Sequence, residues 1–172
     1  MSSKNGNLVL NSSYTNLQLW LLVFLRILIG WHFLYEGLAK LLNPYWGSAA
    51  YLLESKWLFS GIFKTIVAYP AALKAVDFLN TWGLMAIGLA LMLGILDRAA
   101  CLAGAVLLFL YYISNPPFIG YSYSIPQEGS YVIVNKNLVE LGALLVLAAF
   151  PTGRIIGLDR LLSGSPKRLS NK

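Results

Sequence analysis

The chain has 172 residues, of which 58% are hydrophobic and 12% charged, with a mean hydropathy of +0.65. An ordinary soluble domain carries about 25% charged residues, so a monomer living in water is excluded and a single membrane domain is expected. The net charge of +6 does not point to nucleic acid, because the 13 Lys and Arg are scattered without a run of five like charges.

Residues 1–16 (MSSKNGNLVLNSSYTN) form a polar N-terminal tail. Leu17 to Leu42 (LQLWLLVFLRILIGWHFLYEGLAKLL) is apolar and about 39 Å long as a helix, enough to cross a ~30 Å core with tilt. Its embedded Arg26, His32, Glu36 and Lys40 set it apart from a signal peptide. After Asn43-Pro44, the apolar Phe59, Ile62, Phe63, Ile66 and Val67 recur at helical spacing, the pattern of an amphipathic helix at an interface or against the end of a bundle. Pro70 suits the first turn of the next helix. That helix leads into a second span, Asn80 to Leu96, with Asp97-Arg98 as a minimal turn before a third, Ala99 to Ser114. Ala86, Ala90 and Gly94, with Ala100 and Gly104, supply small residues for close helix packing. Asn115-Pro116-Pro117 end the third span, and an aromatic loop with Phe118, Tyr121, Tyr123 and Tyr131 is expected to fold over the bundle's end. A fourth span runs from Asn137 to Phe150, closed by Pro151-Thr152-Gly153. The expected architecture is an all-α, four-helix transmembrane bundle over residues 17–153, with a basic tail over 154–172.

Four spans place both termini on one side. Seven cations fall there (Lys4, Arg98, Arg154, Arg160, Lys167, Arg168, Lys172) and five on the other (Lys40, Lys56, Lys64, Lys74, Lys136). The bias favours cytoplasmic termini in a bacterial inner membrane, with the amphipathic segment and the aromatic loop outside.

Chemistry is bounded by two scarce residues. One cysteine, Cys101, excludes an internal disulfide, a thiol relay within one protomer and a cysteine-ligated iron-sulfur cluster; one histidine, His32, excludes a bis-histidine haem. No haem or structural metal is expected.

Charges inside a span cost about 2.5 to 3.5 kcal/mol each on insertion scales and so call for a partner or a function. His32, Glu36 and Lys40 follow at four-residue steps along one helix face. Glu140, near the start of the fourth span, falls in the same outer layer, together with Asn80, Tyr111, Tyr112, Asn115 and Asn137. Four helices thus contribute to a polar pocket opening outward. The plainer reading of these residues is a satisfied Glu36-Lys40 ion pair, interfacial tyrosines and a helix cap at Asn137. Arg26, near mid-bilayer, needs an acceptor across the bundle or must snorkel.

The runs LRILIGWHFLYEGLAKLLNP (Leu25 to Pro44), WGLMAIGLALMLGILDRAACLAGAVLLFLYY (Trp82 to Tyr112) and NKNLVELGALLVL (Asn135 to Leu147) resemble the DoxX/DoxD family of four-helix membrane proteins. One branch of that family is similar to the large membrane subunit of thiosulfate:quinone oxidoreductase, which works with a smaller partner subunit. The resemblance implies quinone as cofactor and a periplasmic or membrane redox partner, in surrounding lipid and with a homo-oligomer left open. On that reading Glu36, Glu140 and His32 handle protons, while Arg26, Lys40, Tyr111, Tyr112, Asn115 and Asn137 bind the substrate. A non-catalytic anchor or assembly factor for a periplasmic redox protein is the alternative. A small-solute transporter is weaker, since inverted repeats are not evident.

Overall fold

The computed structural model describes residues 14–124 and 132–162; Lys4, Tyr131, Lys167, Arg168 and Lys172 lie outside the described residues. Those residues form seven helices and no strand: α1 (Asn16–Leu42), α2 (Ala49–Leu53), α3 (Ser60–Ala68), α4 (Pro70–Leu93), α5 (Asp97–Ser114), α6 (Lys136–Ala149) and α7 (Asp159–Leu162).

Local chemistry sets the helix ends. Thr15 opens α1 with a capping box: its hydroxyl accepts from the Gln18 N–H at 3.3 Å, and the Gln18 side chain accepts from the Thr15 N–H at 3.0 Å. Pro70 occupies the first turn of α4, where its missing N–H is not needed. Gly94 ends α4 in the left-handed region at φ 65°. The second span therefore stops three residues short of the expected Leu96. The expected Asp97-Arg98 turn is corrected as well: the turn is Gly94–Leu96, and Asp97 is the first residue of α5. α6 is capped by Asn135, whose Oδ1 accepts from the Leu138 N–H at 3.0 Å, so Asn137 is not the cap.

Three helices, α1, α4 and α5, are long and apolar enough to cross a membrane. Along α1 a stripe of Trp20, Phe24, Leu28, Trp31 and Tyr35 stays exposed, an apolar face that lipid tolerates and water does not. α6, with 14 residues and about 21 Å, is shorter than a ~30 Å hydrocarbon core.

α1 lies along α4 and α5 along α6, while α4 also meets α5 and α1 meets α6. Between them Ile29, Phe33, Leu84, Leu91, Cys101, Leu108, Leu144 and Leu147 form the core. The closest backbone approach is between α1 and α4. A Cβ on Gly88 would lie 2.5 Å from the Leu34 nitrogen and 2.6 Å from the Gly30 carbonyl oxygen, and one on Gly37 would lie 3.0 Å from the Thr81 carbonyl oxygen. These glycines, rather than Ala86 or Ala90, let the helices touch. Gly88→Ala should therefore force two backbones apart and destabilise by about 1 to 3 kcal/mol. Gly83→Ala on the same helix, where a Cβ meets nothing within 4 Å, should leave thermal unfolding in detergent unchanged. Equal melting of the two variants would contradict this account of the contact.

Candidate functional site

At the end of the helices where α1 and α5 finish and α4 and α6 begin, a cavity of about 680 Å³ opens beneath α2 and α3. Its polar lining includes His32, Glu36, Lys40, Ser48, Asn80, Tyr111, Asn115 and Asn137; its apolar lining includes Phe33, Leu52, Ile62, Phe63, Ile66 and Leu84. A volume of this size, mostly apolar with a few convergent polar groups, suits an amphipathic small molecule.

The four-residue spacing along α1 becomes a chain of charges. Glu140, brought over from α6, bonds His32 Nδ1 through its Oε1 at 2.8 Å. His32 Nε2 lies 4.0 Å from Glu36 Oε1, and Glu36 Oε2 lies 3.9 Å from Lys40 Nζ. Carboxylate, imidazole, carboxylate and ammonium thus alternate across α6 and α1. The Glu140 side chain is 13% exposed and that of Glu36 45%, so the chain runs from a sheltered acid to one facing the cavity mouth.

Lys40 sits at the inner wall. Its Nζ donates to Asn80 Oδ1 at 3.0 Å and to the Tyr111 hydroxyl at 3.5 Å, and it lies 5.4 Å from the Trp46 ring centroid and 5.5 Å from that of Tyr111. The Tyr111 hydroxyl donates to the same Asn80 oxygen at 2.9 Å. Two aromatic faces and one amide oxygen thereby hold a cation against the cavity.

On the α2 side, the Tyr51 hydroxyl donates to the Tyr111 carbonyl at 3.0 Å, and Asn115 Nδ2 donates to the Tyr51 carbonyl at 3.1 Å. Burial pushes the Tyr51 phenol above its ordinary value, so it stays a donor at neutral pH. Ser48 Oγ and Asn115 Oδ1 are buried at the cavity wall and have no hydrogen-bond partner among the described residues. Buried polar atoms left in this condition are costly unless something fills the space beside them.

Two of the expected site residues lie elsewhere. Tyr112 donates its hydroxyl to the Ile133 carbonyl at 2.9 Å and packs edge-on against Phe118, tying down the segment before α6. Arg26 lies ten residues below Glu36 on α1, about 15 Å along the axis, and is 2% exposed. Its guanidinium reaches Asp97 Oδ2 at 3.4 Å, Thr152 Oγ1 at 2.8 Å and the Ile156 carbonyl at 2.7 Å. The acceptor across the bundle that the sequence calls for is there, and it makes Arg26 a brace between α1, the α5 start and residues 152–156, away from the cavity. Residues missed from the sequence are Trp46, Ser48 and Tyr51. Their aromatic and hydroxyl groups carry no spacing signal; the periodic Phe63 and Ile66 of α3 did.

Outside the cavity, residues 54–57 grip the start of the aromatic loop. Lys56 donates to the Ser122 carbonyl and lies 5.2 Å from the Tyr123 ring centroid, and Trp57 packs edge-on against Phe118. Hydrogen bonds from Ser124 hold the exposed Glu54 carboxyl below its ordinary 4.5. A depressed folded value means this contact is complete above 4.5 and is lost as pH falls through the lower folded value. Amide exchange across 118–124, corrected for its intrinsic pH dependence, should rise on acidification before exchange in α1 does. A segment equally protected at about pH 3 would rule the latch out.

In comparisons with protein families, curated proteins and solved structures, nothing matches this chain.

Proposed function

We propose that the chain is the membrane subunit of a quinone-linked oxidoreductase, a four-helix bundle of the DoxX/DoxD type in a bacterial inner membrane. Both termini are cytoplasmic on this reading, and α6 completes its crossing with the residues that flank it. The cavity then opens in the outer half, beside a periplasmic or membrane partner subunit that supplies electrons. The observation that carries the proposal is the pairing of an apolar cavity with a cation, a phenol, an acid and an imidazole on its wall, the imidazole backed by Glu140.

The residues fit a quinone. Quinone, when bound, supplies an acceptor for two electrons and two protons. Lys40 Nζ, with one N–H left beyond those given to Asn80 and Tyr111, is the donor for one carbonyl oxygen and opposes negative charge that builds there. Glu36 and Glu140 would pass protons, Glu140 through its contact with His32 Nδ1. Phe33, Leu52 and Phe63 exclude water from the ring.

A second reading, the non-catalytic anchor or assembly factor, draws on one observation: Lys40, Glu36, His32 and Glu140 all have partners within the chain, as a brace requires. Binding separates the two. Titrating the purified protein with a short-chain quinone should quench Trp46 saturably, with a Trp46→Phe variant identifying the signal among the five tryptophans. Lys40→Met should weaken that binding roughly ten- to hundredfold, the worth of a hydrogen bond to a charged donor. Absence of saturable binding, or equal binding by Lys40→Met, would remove the quinone site.

A further inference from the structure

We infer that the ligand of the cavity is long-tailed, a quinone bearing an isoprenoid chain, and that its tail leaves sideways through a groove between α4 and α5; this rests on the quinone reading above. The groove holds about 400 Å³ and its lining side chains are all apolar. Leu79, Leu107 and Leu110 line both the groove and the polar cavity, so the two spaces meet at these side chains. On α4 the wall continues through Gly83 and Ile87, at four-residue steps from Leu79, which carries the groove about 12 Å along the helix toward its middle.

Gly83 marks the groove as space kept open. A Cβ there would meet nothing within 4 Å, whereas Gly30 and Gly88 at the α1–α4 contact face backbone at under 3 Å. α4 and α5 are joined by a three-residue turn, a connection that ordinarily closes neighbouring helices on one another. Here they stay parted along Gly83 and Ala103. Polar groups at one end and hydrocarbon walls at the other describe a head tethered to a tail, and only Leu79, Leu107 and Leu110 stand where the two spaces adjoin, so one molecule can fill both. It also gives the route: a lipid-soluble ligand enters from the bilayer between α4 and α5 without crossing water.

The test uses the full chain in nanodiscs of quinone-free phospholipid, with ligand concentrations expressed per lipid. The ligands are a methylated naphthoquinone without a tail, the same ring with a four-isoprene tail, and the matching prenyl alcohol, each read by Trp46 quenching or by competition. The tailed quinone should bind wild type on the order of tenfold tighter than the bare ring, from apolar burial in the groove. Gly83→Phe, and independently Ala103→Leu, should erase that preference and leave the bare ring's affinity unchanged. Two variants guard against one that fails to fold. Tail preference surviving in both folded variants, or no preference in wild type, overturns the groove assignment and leaves the quinone site standing. Binding of neither quinone overturns both. Prenyl alcohol competing as well as the tailed quinone would assign the groove to hydrocarbon of any lipid and overturn the single-ligand inference.

Discussion

Replacing Arg26 with Met is expected to destabilise the protein by about 3 to 5 kcal/mol, the largest stability effect of any single change considered, because it leaves one half of a buried ion pair alone. Asp97 is 1% exposed. Its Oδ2 also accepts from the Gly153 N–H at 2.7 Å, so the carboxylate is built into the packing and cannot swing to solvent. Thr152 and the Ile156 carbonyl lose their donor in the same step. Arg26→Lys keeps the charge without the planar fork that serves three acceptors, and should fall between. Combining Arg26→Met with Asp97→Leu removes the stranded charge, so the double variant should be more stable than the sum of the single losses by more than 1 kcal/mol. Detergent-titrated unfolding of wild type, both Arg26 variants, Asp97→Leu and the double variant checks this. Wild-type stability in Arg26→Met, or strict additivity in the double variant, would mean that the pair is not the brace.

The second large effect concerns turnover. Glu140→Gln keeps the shape and a hydrogen-bonding group 2.8 Å from His32 Nδ1 but cannot take up or release the proton. If the proposed quinone chemistry holds, quinol formation per molecule, measured with an electron-donating partner, should fall by about 100-fold or more, the scale of a lost general acid-base group. Abundance and melting should stay near wild type. Lowered abundance with unchanged turnover per molecule is the opposite pattern, and it would assign the Glu140-His32 contact to bracing. Glu36→Gln tests the exposed end of the same chain and should follow Glu140→Gln in direction.

How much of this was readable from the residues follows from how far each contact reaches. Three of the four expected spans were legible because apolar length and Pro70 are local signals, and so was the shared face of His32, Glu36 and Lys40. That Asn80, Tyr111, Asn137 and Glu140 lie in one layer followed from counting residues in from the helix ends. Which of them touch did not follow. Glu140 meets His32 across 108 residues and Asn80 meets Lys40 across 40, contacts that depend on helix rotation, which hydrophobic patterning leaves loose in a chain apolar on most faces. Arg26 announced itself as a charge needing a partner, but Asp97 looked like a turn residue; only Gly94 adopting φ 65° moves the turn forward and puts Asp97 inside α5. The close approach at Gly30, Gly37 and Gly88 was hidden because nothing local in the sequence separates them from Gly61, Gly83 and Gly142, where a Cβ would meet nothing within 4 Å.

The fastening at the α4–α5 turn has a consequence for biogenesis. Asp159 accepts from the Leu96 and Asp97 N–H groups at 2.7 and 3.0 Å, and the Leu158 and Asp159 N–H groups return bonds to the Leu93 and Gly94 carbonyls. Leu96, held there at φ 48°, is in a conformation an L-residue rarely adopts unaided. A ribosome makes the turn some sixty residues before its clasp, and makes Arg26 before any of its three acceptors. During insertion the first span must therefore carry a lone guanidinium into the translocon, with the chain's own later segments arriving to cage it. Until residues 152–156 are made, Arg26 lacks two of its three acceptors, and a chain shortened before residue 152 would never supply them.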